Sequence, residues 1–323
     1  MKKRKKFWAI DLGEALTKIV VGEIGASGWV QIEGFRIEKT PEQIRNIGNS
    51  EEQSMVRGFL RHLLKGARRH DDVMLVINHK EMLVASFTFP MMTINEVEEA
   101  IYWQLQLLTS ENLEFWRIDF QARERTRWFE HLGIDETNLD VLGVAVKKDL
   151  LSRYTKLFGK TGCRLASIVP QFYTFDSLID PNGDQPTLII DMGKSETRFF
   201  YYYRAALVEN HRLELETGWD GKTYLREIIK VTEQIFEFPL GYEKTGMNDI
   251  NENIYLMGGE SLHRGVLETL SKWLDKKIRP VDELLDEKEE LILPGKMTKA
   301  ERCLMTPCVC GLIKQAQLRG GLL

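Results

Sequence analysis

The sequence reads Phe7-Trp-Ala-Ile-Asp-Leu-Gly13 near its start and Leu188-Ile-Ile-Asp-Met-Gly193 past its middle. Each stretch is an apolar run that ends in Asp-x-Gly, and a second β-rich run follows each one. This pattern predicts a strand, a tight turn and a returning strand in both places. One Asp-x-Gly turn would mean little, but two at equivalent places in the two halves predict an internal duplication.

Length and composition are those of a globular protein. The chain has 323 residues, of which 43% are hydrophobic and 28% are charged, so it can bury a full core in two domains or two lobes. Lys and Arg (44) nearly balance Asp and Glu (48), which gives a net charge of −4. We therefore expect no nucleic-acid partner. No apolar run approaches the roughly 18 to 20 residues that span a bilayer, so we expect a cytoplasmic protein without a transmembrane segment.

Hydrophobic periodicity predicts alternating strands and helices along the chain. Thr93-Ile-Asn-Glu96 is a capping box, a reciprocal pairing of side chains and backbone that begins a helix. Further helices are predicted at 55–64, 148–160, 220–236, 261–274 and 307–317. The predicted strands are 7–12, 17–24, 29–37, 73–78, 82–89, 117–123, 141–146, 187–192, 198–203, 205–210 and 254–257.

The two Asp-x-Gly turns carry residues that suit phosphate binding. Glycine at a hairpin tip lets backbone N–H groups approach phosphate oxygens, and an aspartate at a strand end can hold a hydrated Mg²⁺. Thr17, Lys18, Ser195 and Thr197 would add hydroxyl and ammonium donors, and Gly258-Gly259 would meet a nucleotide where the next helix begins. The alternative is two ordinary hairpins whose aspartates cap their own turns.

Four other features have simpler interpretations. Cys303, Cys308 and Cys310 lack the paired spacing of a zinc site, so we interpret them as core thiols. Lys2 to Lys6 form either a solvated tail or a segment attracted to an anionic membrane. The acidic segment 282–290 is interpreted as a solvated helix or loop. Tyr201-Tyr202-Tyr203 is interpreted as a cross-strand ladder in an exposed hairpin.

Several stretches resemble the actin-like ATPase superfamily, whose members include actin, hexokinase, heat-shock chaperone ATPases and FtsA. Within it, the chain resembles the PilM family of type IV pilus assembly proteins. The matching stretches are 7–13, 73–78, 96–104, 142–148, 188–193 and 254–259. The most specific is Glu96-Val-Glu-Glu-Ala-Ile-Tyr-Trp-Gln104, because it lies in an inserted subdomain that PilM and FtsA have and other actins lack.

The resemblance implies an α/β fold of the actin-like, ribonuclease H-like type, in which two duplicated domains form two lobes. Residues 1–75 and 166–183 would form the first lobe, and residues 76–165 the inserted, 1C-like subdomain. Residues 184–323 would form the second lobe, with 211–252 as its smaller subdomain. A nucleotide would bind in the cleft between the lobes.

Carried over residue by residue, the resemblance implies a nucleotide site with departures from the family pattern. The matching residues are Asp11, Gly13 and Lys18 in the first hairpin and Asp191, Gly193, Ser195 and Thr197 in the second. Glu14 stands where the family has Ser or Thr, which would place a carboxylate near the terminal phosphate. Gly218-Trp219-Asp220 replaces Gly-Gly-Asp, and Gly258-Gly259-Glu260 lacks a third glycine. The expected cofactors are ATP and Mg²⁺, with the metal held indirectly by Asp11 and Asp191, and the departures predict weak binding.

The resemblance implies a scaffold within the inner-membrane assembly platform of a type IV pilus, or of a related secretion or competence system. Such a protein would be cytoplasmic and peripheral at the inner face of the cell membrane. It would bind the N-terminal cytosolic tail of a PilN-like membrane protein, with other platform and motor proteins and self-association as further contacts. No catalytic residue is predicted, and significant ATP hydrolysis is not expected.

Three alternatives remain at this point. The chain could be an active actin-like ATPase, a sugar-kinase-type enzyme, or the cytosolic part of a GspL-like protein of type II secretion. A kinase needs a general base beside the substrate hydroxyl, and no distinctive sugar-site motif is visible. A GspL-like protein would carry a transmembrane helix after the actin-like domain.

Overall fold

The computed structural model of the chain describes residues 5–44, 50–129, 134–159, 161–183, 185–216, 220–237 and 253–320. The chain divides into two compact units. Met1–Asn78 and Thr155–Leu323 form the larger unit, and His79–Tyr154 form the smaller one. The smaller unit lies inside the segment 76–165 in which the sequence analysis expected an insertion.

Strands and helices alternate through both units. The strands are β1 (Phe7–Leu12), β2 (Leu16–Ile24), β3 (Val30–Lys39), β4 (Asp72–Ile77), β5 (Met82–Pro90), β6 (Trp116–Phe129), β7 (Ile134–Lys147), β8 (Arg164–Pro170), β9 (Thr187–Met192), β10 (Glu196–Tyr203), β11 (Ala206–Glu214), β12 (Asn253–Met257), β13 (Ile278–Pro280) and β14 (Leu291–Ile292). The helices are α1 (Ser50–Leu63), α2 (Ile94–Gln106), α3 (Lys148–Phe158), α4 (Gln171–Phe175), α5 (Gly221–Glu237), α6 (Val266–Leu274), α7 (Asp282–Asp286) and α8 (Lys299–Gly320).

The first sheet of the larger unit has the strand order β14-β3-β2-β1-β4-β8. β1 and β2 form the first predicted hairpin, and β1 also pairs in parallel with β4, which pairs in parallel with β8. Every residue of β4 is buried, as its nearly continuous apolar sequence predicts for a parallel strand covered on both faces. β8 is not predicted by the sequence pattern, because its residues show neither alternation nor an unbroken apolar run.

The second sheet has the order β11-β10-β9-β12-β13 and repeats the arrangement of the first. β9 and β10 form the second hairpin, and β9 pairs in parallel with β12. The predicted duplication is therefore visible in the topology. The expected exposure of the tyrosine run was wrong: Tyr201 and Tyr202 are buried, and Tyr202 Oη donates to Phe172 O at 2.6 Å.

α8 packs on β1, β2 and β4 of the first sheet. A side chain at Gly311 would begin 3.2 Å from both Ala9 Cβ and Val76 Cγ2, so glycine permits this close approach. Cys303, Cys308 and Cys310 lie on this helix as buried free thiols, which confirms their interpretation as core residues.

α8 is longer than the predicted helix 307–317. A second capping box begins it, in which Thr298 N donates to Glu301 Oε2 at 2.8 Å and Glu301 N donates to Thr298 Oγ1 at 3.2 Å. Pro307, expected at the start of the helix, therefore lies inside it. Among the described residues, no helix is long and apolar enough to cross a membrane.

The C-terminal part of the chain returns to the first sheet. Sequence analysis assigned all of 184–323 to the second lobe, but β14 pairs in parallel with β3, and α8 packs as described above. The acidic segment also differs from its interpretation as solvated, because α7 buries Asp282, Leu284 and Leu285. Contacts between residues distant in sequence decide both features.

The smaller unit is an antiparallel sheet of order β5-β7-β6 with α2 packed on one face. Val97, Ile101 and Leu105 of α2 belong to its core, and the predicted capping box of Thr93 and Glu96 is present. β6 and β7 pair from Trp116 with Lys147 to Phe129 with Ile134, so both strands extend beyond the predicted 117–123 and 141–146.

Candidate functional site

The two hairpins match each other in register around their Asp-x-Gly turns. Asp11 lies opposite Lys18 across β1 and β2, and Asp191 lies opposite Arg198 across β9 and β10. Both stretches share the pattern Asp-x-Gly-x-x-x-Thr followed by Lys or Arg. Each hairpin therefore places a carboxylate opposite a cation at the end of its first strand.

Lys18 forms an ion pair with Asp11 inside the first hairpin. Lys18 Nζ lies 2.7 Å from Asp11 Oδ2, and the two side chains are 16% and 11% exposed. Burial alone would lower the pKa of Lys18, but the carboxylates of Asp11 and Asp191 raise it above its ordinary value. Lys18 is therefore protonated, and Asp11 already balances its charge.

The glycines of the two turns are required by close backbone contacts. A Cβ at Gly13 would lie 2.6 Å from Leu16 O, and one at Gly193 would lie 3.0 Å from Glu196 O. Gly193 N also donates to Glu196 O at 2.9 Å. This amide closes its own turn instead of pointing toward a ligand.

Asp191 belongs to a network of side chains in the second hairpin. Gln171 Nε2 donates to Asp191 Oδ2 at 2.8 Å, and Arg198 Nη1 lies 3.8 Å from the same oxygen. Arg198 also pairs with Glu196. Burial lowers the pKa of Arg198, although the carboxylates of Asp191 and Asp11 oppose this shift.

Asn78 and Gln171 join this site, although the sequence analysis did not identify them. They follow β4 and β8, and the carboxyl ends of these strands lie at the same edge as that of β1 because the three strands run parallel. Asn78 Nδ2 donates to Gln171 Oε1 at 2.7 Å; with the Asn78 amide turned over, its oxygen would accept from Arg198 Nη1 at 2.7 Å.

Sequence signals were present for two of the four residues that were not predicted, which are Asn78, Gln171, Glu196 and Arg198. Asn78 is the first polar residue after the apolar run of β4. Arg198 stands at the same offset from Asp191 as Lys18 from Asp11. Gln171 had no such signal, because β8 itself was not predicted.

The tips of the two hairpins contact each other through Glu14 and Ser195. Ser195 Oγ donates a hydrogen bond to Glu14 Oε2. The sequence analysis expected Glu14 near a terminal phosphate; in the structure its carboxylate binds the hydroxyl of the opposite hairpin. The two Asp-x-Gly turns therefore face one site, here called the hairpin site, formed by Asp11, Glu14, Lys18, Asn78, Gln171, Asp191, Ser195, Glu196 and Arg198.

Thr17 and Thr197 have a different position from the one expected of phosphate-binding hydroxyls. Both are fully buried. Thr17 Oγ1 lies 2.9 Å from Thr40 Oγ1, and Thr197 Oγ1 hydrogen-bonds to Tyr224 Oη. Strand alternation turns these side chains into the core while their neighbours Lys18 and Arg198 line the site, so the threonine hydroxyls stabilise the hairpins.

The turn after β12 packs directly against the second hairpin. Gly258 has φ +90°, and a Cβ there would lie 2.4 Å from Met192 O, whereas a Cβ at Gly259 would meet open space. Glu260 pairs with His263 at 3.1 Å. The helix expected directly after this turn begins later, at Val266, following a 3₁₀ turn. Its N-terminus is therefore not adjacent to the glycines in sequence.

Asp220, the remaining described candidate, caps α5. Its Oδ1 accepts from Thr223 N at 2.7 Å, and this hydrogen bond lowers the pKa of Asp220. Gly218 and Trp219, the other candidates of this segment, lie outside the described residues.

The hairpin site does not fit a Mg²⁺–triphosphate in this arrangement. Three side chains that could donate to phosphate already contact carboxylates: Lys18 contacts Asp11, Ser195 contacts Glu14, and Arg198 contacts Asp191 and Glu196. The four carboxylates Asp11, Glu14, Asp191 and Glu196 outnumber the three cations that contact them, Lys18, Arg198 and Arg212, and this excess of negative charge would repel a polyanion. No group of three or more His, Cys, Asp or Glu within the described part of the chain could hold a metal ion.

Comparison with known proteins settles the fold. No protein-family model matches the chain, and no curated protein matches its sequence. The structure is similar to the PilM-PilN type IV pilus biogenesis complex, with a TM-score of 0.71 and 17% identity over 98% of this chain and 99% of that one. It is also similar to a Bacteroides thetaiotaomicron protein with actin-like ATPase fold, with a TM-score of 0.50 and 10% identity over 89% of this chain and 98% of that one. The chain has an actin-like fold.

The resemblance to PilM seen in the sequence is thus confirmed at the level of the fold. The chain is less similar to MreB 5 of Spiroplasma citri bound to AMPPNP. That similarity has a TM-score of 0.48 and 9% identity, over 99% of this chain and 98% of that one. At these identities the likeness concerns the fold alone.

Proposed function

We propose that this actin-like chain is a PilM-like scaffold of a type IV pilus assembly platform, or of a related secretion or competence system. It binds the N-terminal cytosolic tail of a PilN-like inner-membrane protein. The observation that carries the proposal is the match of fold with the PilM-PilN complex along 98% of this chain. A match of that extent includes the smaller unit, His79–Tyr154.

The hairpin site supports a scaffold rather than an ATPase. Its cations and its exposed hydroxyl are bound to carboxylates of the protein itself, so the two hairpins are held together by their own side chains. An ATPase of this fold would need those donors free for phosphate groups. No residue of the hairpin site is assigned a catalytic role.

Weak nucleotide binding is a second activity that we propose for the hairpin site. The convergence of two Asp-x-Gly turns at the carboxyl ends of parallel strands supports it, because ligands of α/β folds bind at such edges. ATP with Mg²⁺ near Asp11 and Asp191 would bind after Glu14 leaves Ser195. The binding of AMPPNP is a property of the neighbouring protein and does not support nucleotide binding by this chain.

The proposed location is cytoplasmic and peripheral, at the inner face of the membrane, through the membrane partner. Lys5 and Lys6, the described residues of the lysine run, form ion pairs within the protein. Lys5 Nζ lies 2.6 Å from Asp72 Oδ2, and Lys6 Nζ lies 2.7 Å from Glu23 Oε1. These two lysines form ion pairs with carboxylates of the protein, so anionic lipids would compete with those carboxylates for them.

Calorimetric titration tests the scaffold. The purified full chain is titrated with a synthetic peptide that has the sequence of the cytosolic tail of the single-span membrane protein encoded beside it. We expect saturable binding of one peptide per chain, and none with a peptide of the same composition in scrambled order. Equal heats from the two peptides, or none from either, would contradict the proposal.

A further inference from the structure

The smaller unit exposes four large apolar side chains at one end of α2. Trp103 is 66% exposed, Leu107 80%, Leu108 53% and Phe115 70%. We call these four residues the apolar ledge. Single exposed apolar residues are normal on protein surfaces, but a group of this size within a short segment marks an interaction surface.

The ledge is held in place by hydrogen bonds to Gln106. Gln106 Nε2 donates to Glu111 O at 3.0 Å, and Gln106 Oε1 accepts from Leu113 N at 3.3 Å. The segment after α2 is therefore tied to the end of the helix. Trp103 and Leu107 are one helical turn apart and share a face. A surface ordered in advance loses little conformational entropy on binding.

The segment that carries the ledge has one sign of charge. From Met91 to Phe115 the sequence contains five glutamates and no lysine or arginine. Glu98 and Glu99 are exposed on α2, and Glu99 lies one turn before Trp103. Glu111 is paired with Lys147 at 2.8 Å. Lys148 Nζ also donates to Glu114 O at 2.8 Å, so two lysines lie beside the Phe115 end, and the acidic rim is the part beside Trp103 that carries Glu98 and Glu99. A partner that fits this part of the ledge must supply apolar and basic groups together.

We propose that the apolar ledge docks a basic amphipathic segment of the cytosolic part of the membrane partner. This inference rests on the proposed function, because it takes the partner to be an inner-membrane protein. Cytosolic segments next to a membrane span carry an excess of Lys and Arg. Apolar side chains of the segment contact Trp103 and Leu107, and its cations contact Glu98 and Glu99.

The test uses the full chain and the same synthetic tail peptide, with affinity measured by calorimetry. Trp103→Ser and Leu107→Ser remove the apolar contacts, and Glu98→Lys with Glu99→Lys reverses the charge of the rim. Met55→Ser on α1 is the matched apolar control, since Met55 is 51% exposed. Glu233→Lys with Glu268→Lys, at exposed positions of α5 and α6, is the matched charge control. All changed side chains are exposed, so thermal unfolding should be unaltered.

We expect each ledge variant to weaken peptide binding by about tenfold or more, as for a central aromatic anchor, and the controls to bind like wild type. The affinity for wild type should fall with added salt, and that of the charge-reversed variant should not.

The outcomes separate this inference from the proposed function. Tail binding that is equally tight in wild type and ledge variants would overturn the inference that the ledge is the docking surface. It would leave the proposed scaffold function intact. Loss of binding in Trp103→Ser, with unchanged affinity in the charge-reversed variant, would overturn the inference that the docked segment is basic. No tail binding in wild type would overturn both proposals.

Discussion

Glu14 and Ser195 are joined by a hydrogen bond between the tips of the two hairpins, although 181 positions separate them in the sequence. The bond couples the halves of the larger unit at the place where their Asp-x-Gly turns meet. Two further polar contacts lie beside this bond: Lys18 donates to Asp11, and Gln171 donates to Asp191. Three consequences of this arrangement, and one of an ion-paired aspartate elsewhere in the larger unit, can be measured.

Replacing Glu14 by Ser should tighten Mg²⁺-ATP binding. The change frees Ser195 and removes a negative charge from the site. Two like unit charges about 4 Å apart repel by about 4 kcal/mol at an effective dielectric constant near 20. Solvent and salt reduce this repulsion, so we expect a gain of roughly tenfold in affinity by calorimetry.

Two comparisons make the Glu14 experiment specific. The gain should be larger for ATP than for ADP and should shrink with added salt. Glu233→Ser, a change at an exposed position of α5, should leave nucleotide affinity unchanged. Equal affinities of wild type and Glu14→Ser would show that Glu14 does not restrict the site.

Replacing Arg198 by Met should destabilise the larger unit. The guanidinium lies between Asp191 and Glu196. Its loss leaves the partly buried Asp191 without this cation, whereas Glu196 keeps its ion pair with Arg212. We expect the free energy of unfolding in urea to fall by about 2 kcal/mol. Arg198→Lys should retain part of that stability, and Arg264→Met, at an exposed position, should cost almost nothing. An Arg198→Met variant as stable as wild type would contradict the stabilising role of this network.

Replacing Gly258 by Ala should be far more damaging than replacing Gly259. Gly258 has φ +90°, and an added Cβ would lie 2.4 Å from Met192 O and 2.7 Å from Asp191 Oδ1. Gly259 has φ −65° and ψ −39°, which alanine adopts without strain. Thermal and urea unfolding should show a loss of about 2 kcal/mol or more for Gly258→Ala and about 0.5 kcal/mol or less for Gly259→Ala. Equal effects would mean that the turn is not packed against β9.

Asp71 should contribute stability that depends on pH. Its buried carboxylate accepts from Lys6 N at 3.0 Å and Arg68 N at 2.9 Å. Burial alone would raise the pKa of Asp71, but these hydrogen bonds hold it below its ordinary value of 3.8. The folded state therefore binds the proton less readily than the unfolded state.

The contribution of Asp71 is then complete above pH 3.8 and is lost as the pH falls through the folded-state pKa. We expect wild type to be more stable than Asp71→Asn near neutral pH, with the difference shrinking below pH 3.8. Urea unfolding of wild type and Asp71→Asn, from neutral pH to below pH 3.8, measures this difference in the free energy of unfolding. A stability difference that stays constant with pH would rule out the depressed pKa.

Sequence patterns by themselves were sufficient for the hairpins, the turns and the capping box of α2. β1 and β9 have the bounds that their apolar runs predict, and Thr93 and Glu96 pair as expected. These features depend on interactions between residues that are close along the chain: strand alternation, glycine at a tight turn, and a side chain that caps a nearby amide. The resemblance to PilM extended this reading to the fold.

Tertiary structure alone decided what the hairpins contact. Gln171 meets Asp191, and Glu14 meets Ser195, because the two sheets bring the ends of their strands together although these residues lie far apart in the sequence. Packing also decided that Thr17 is buried, and it returned α8 to the first sheet. Composition and periodicity cannot determine such pairings, because the free energy that selects them comes from burial and register between segments far apart in sequence.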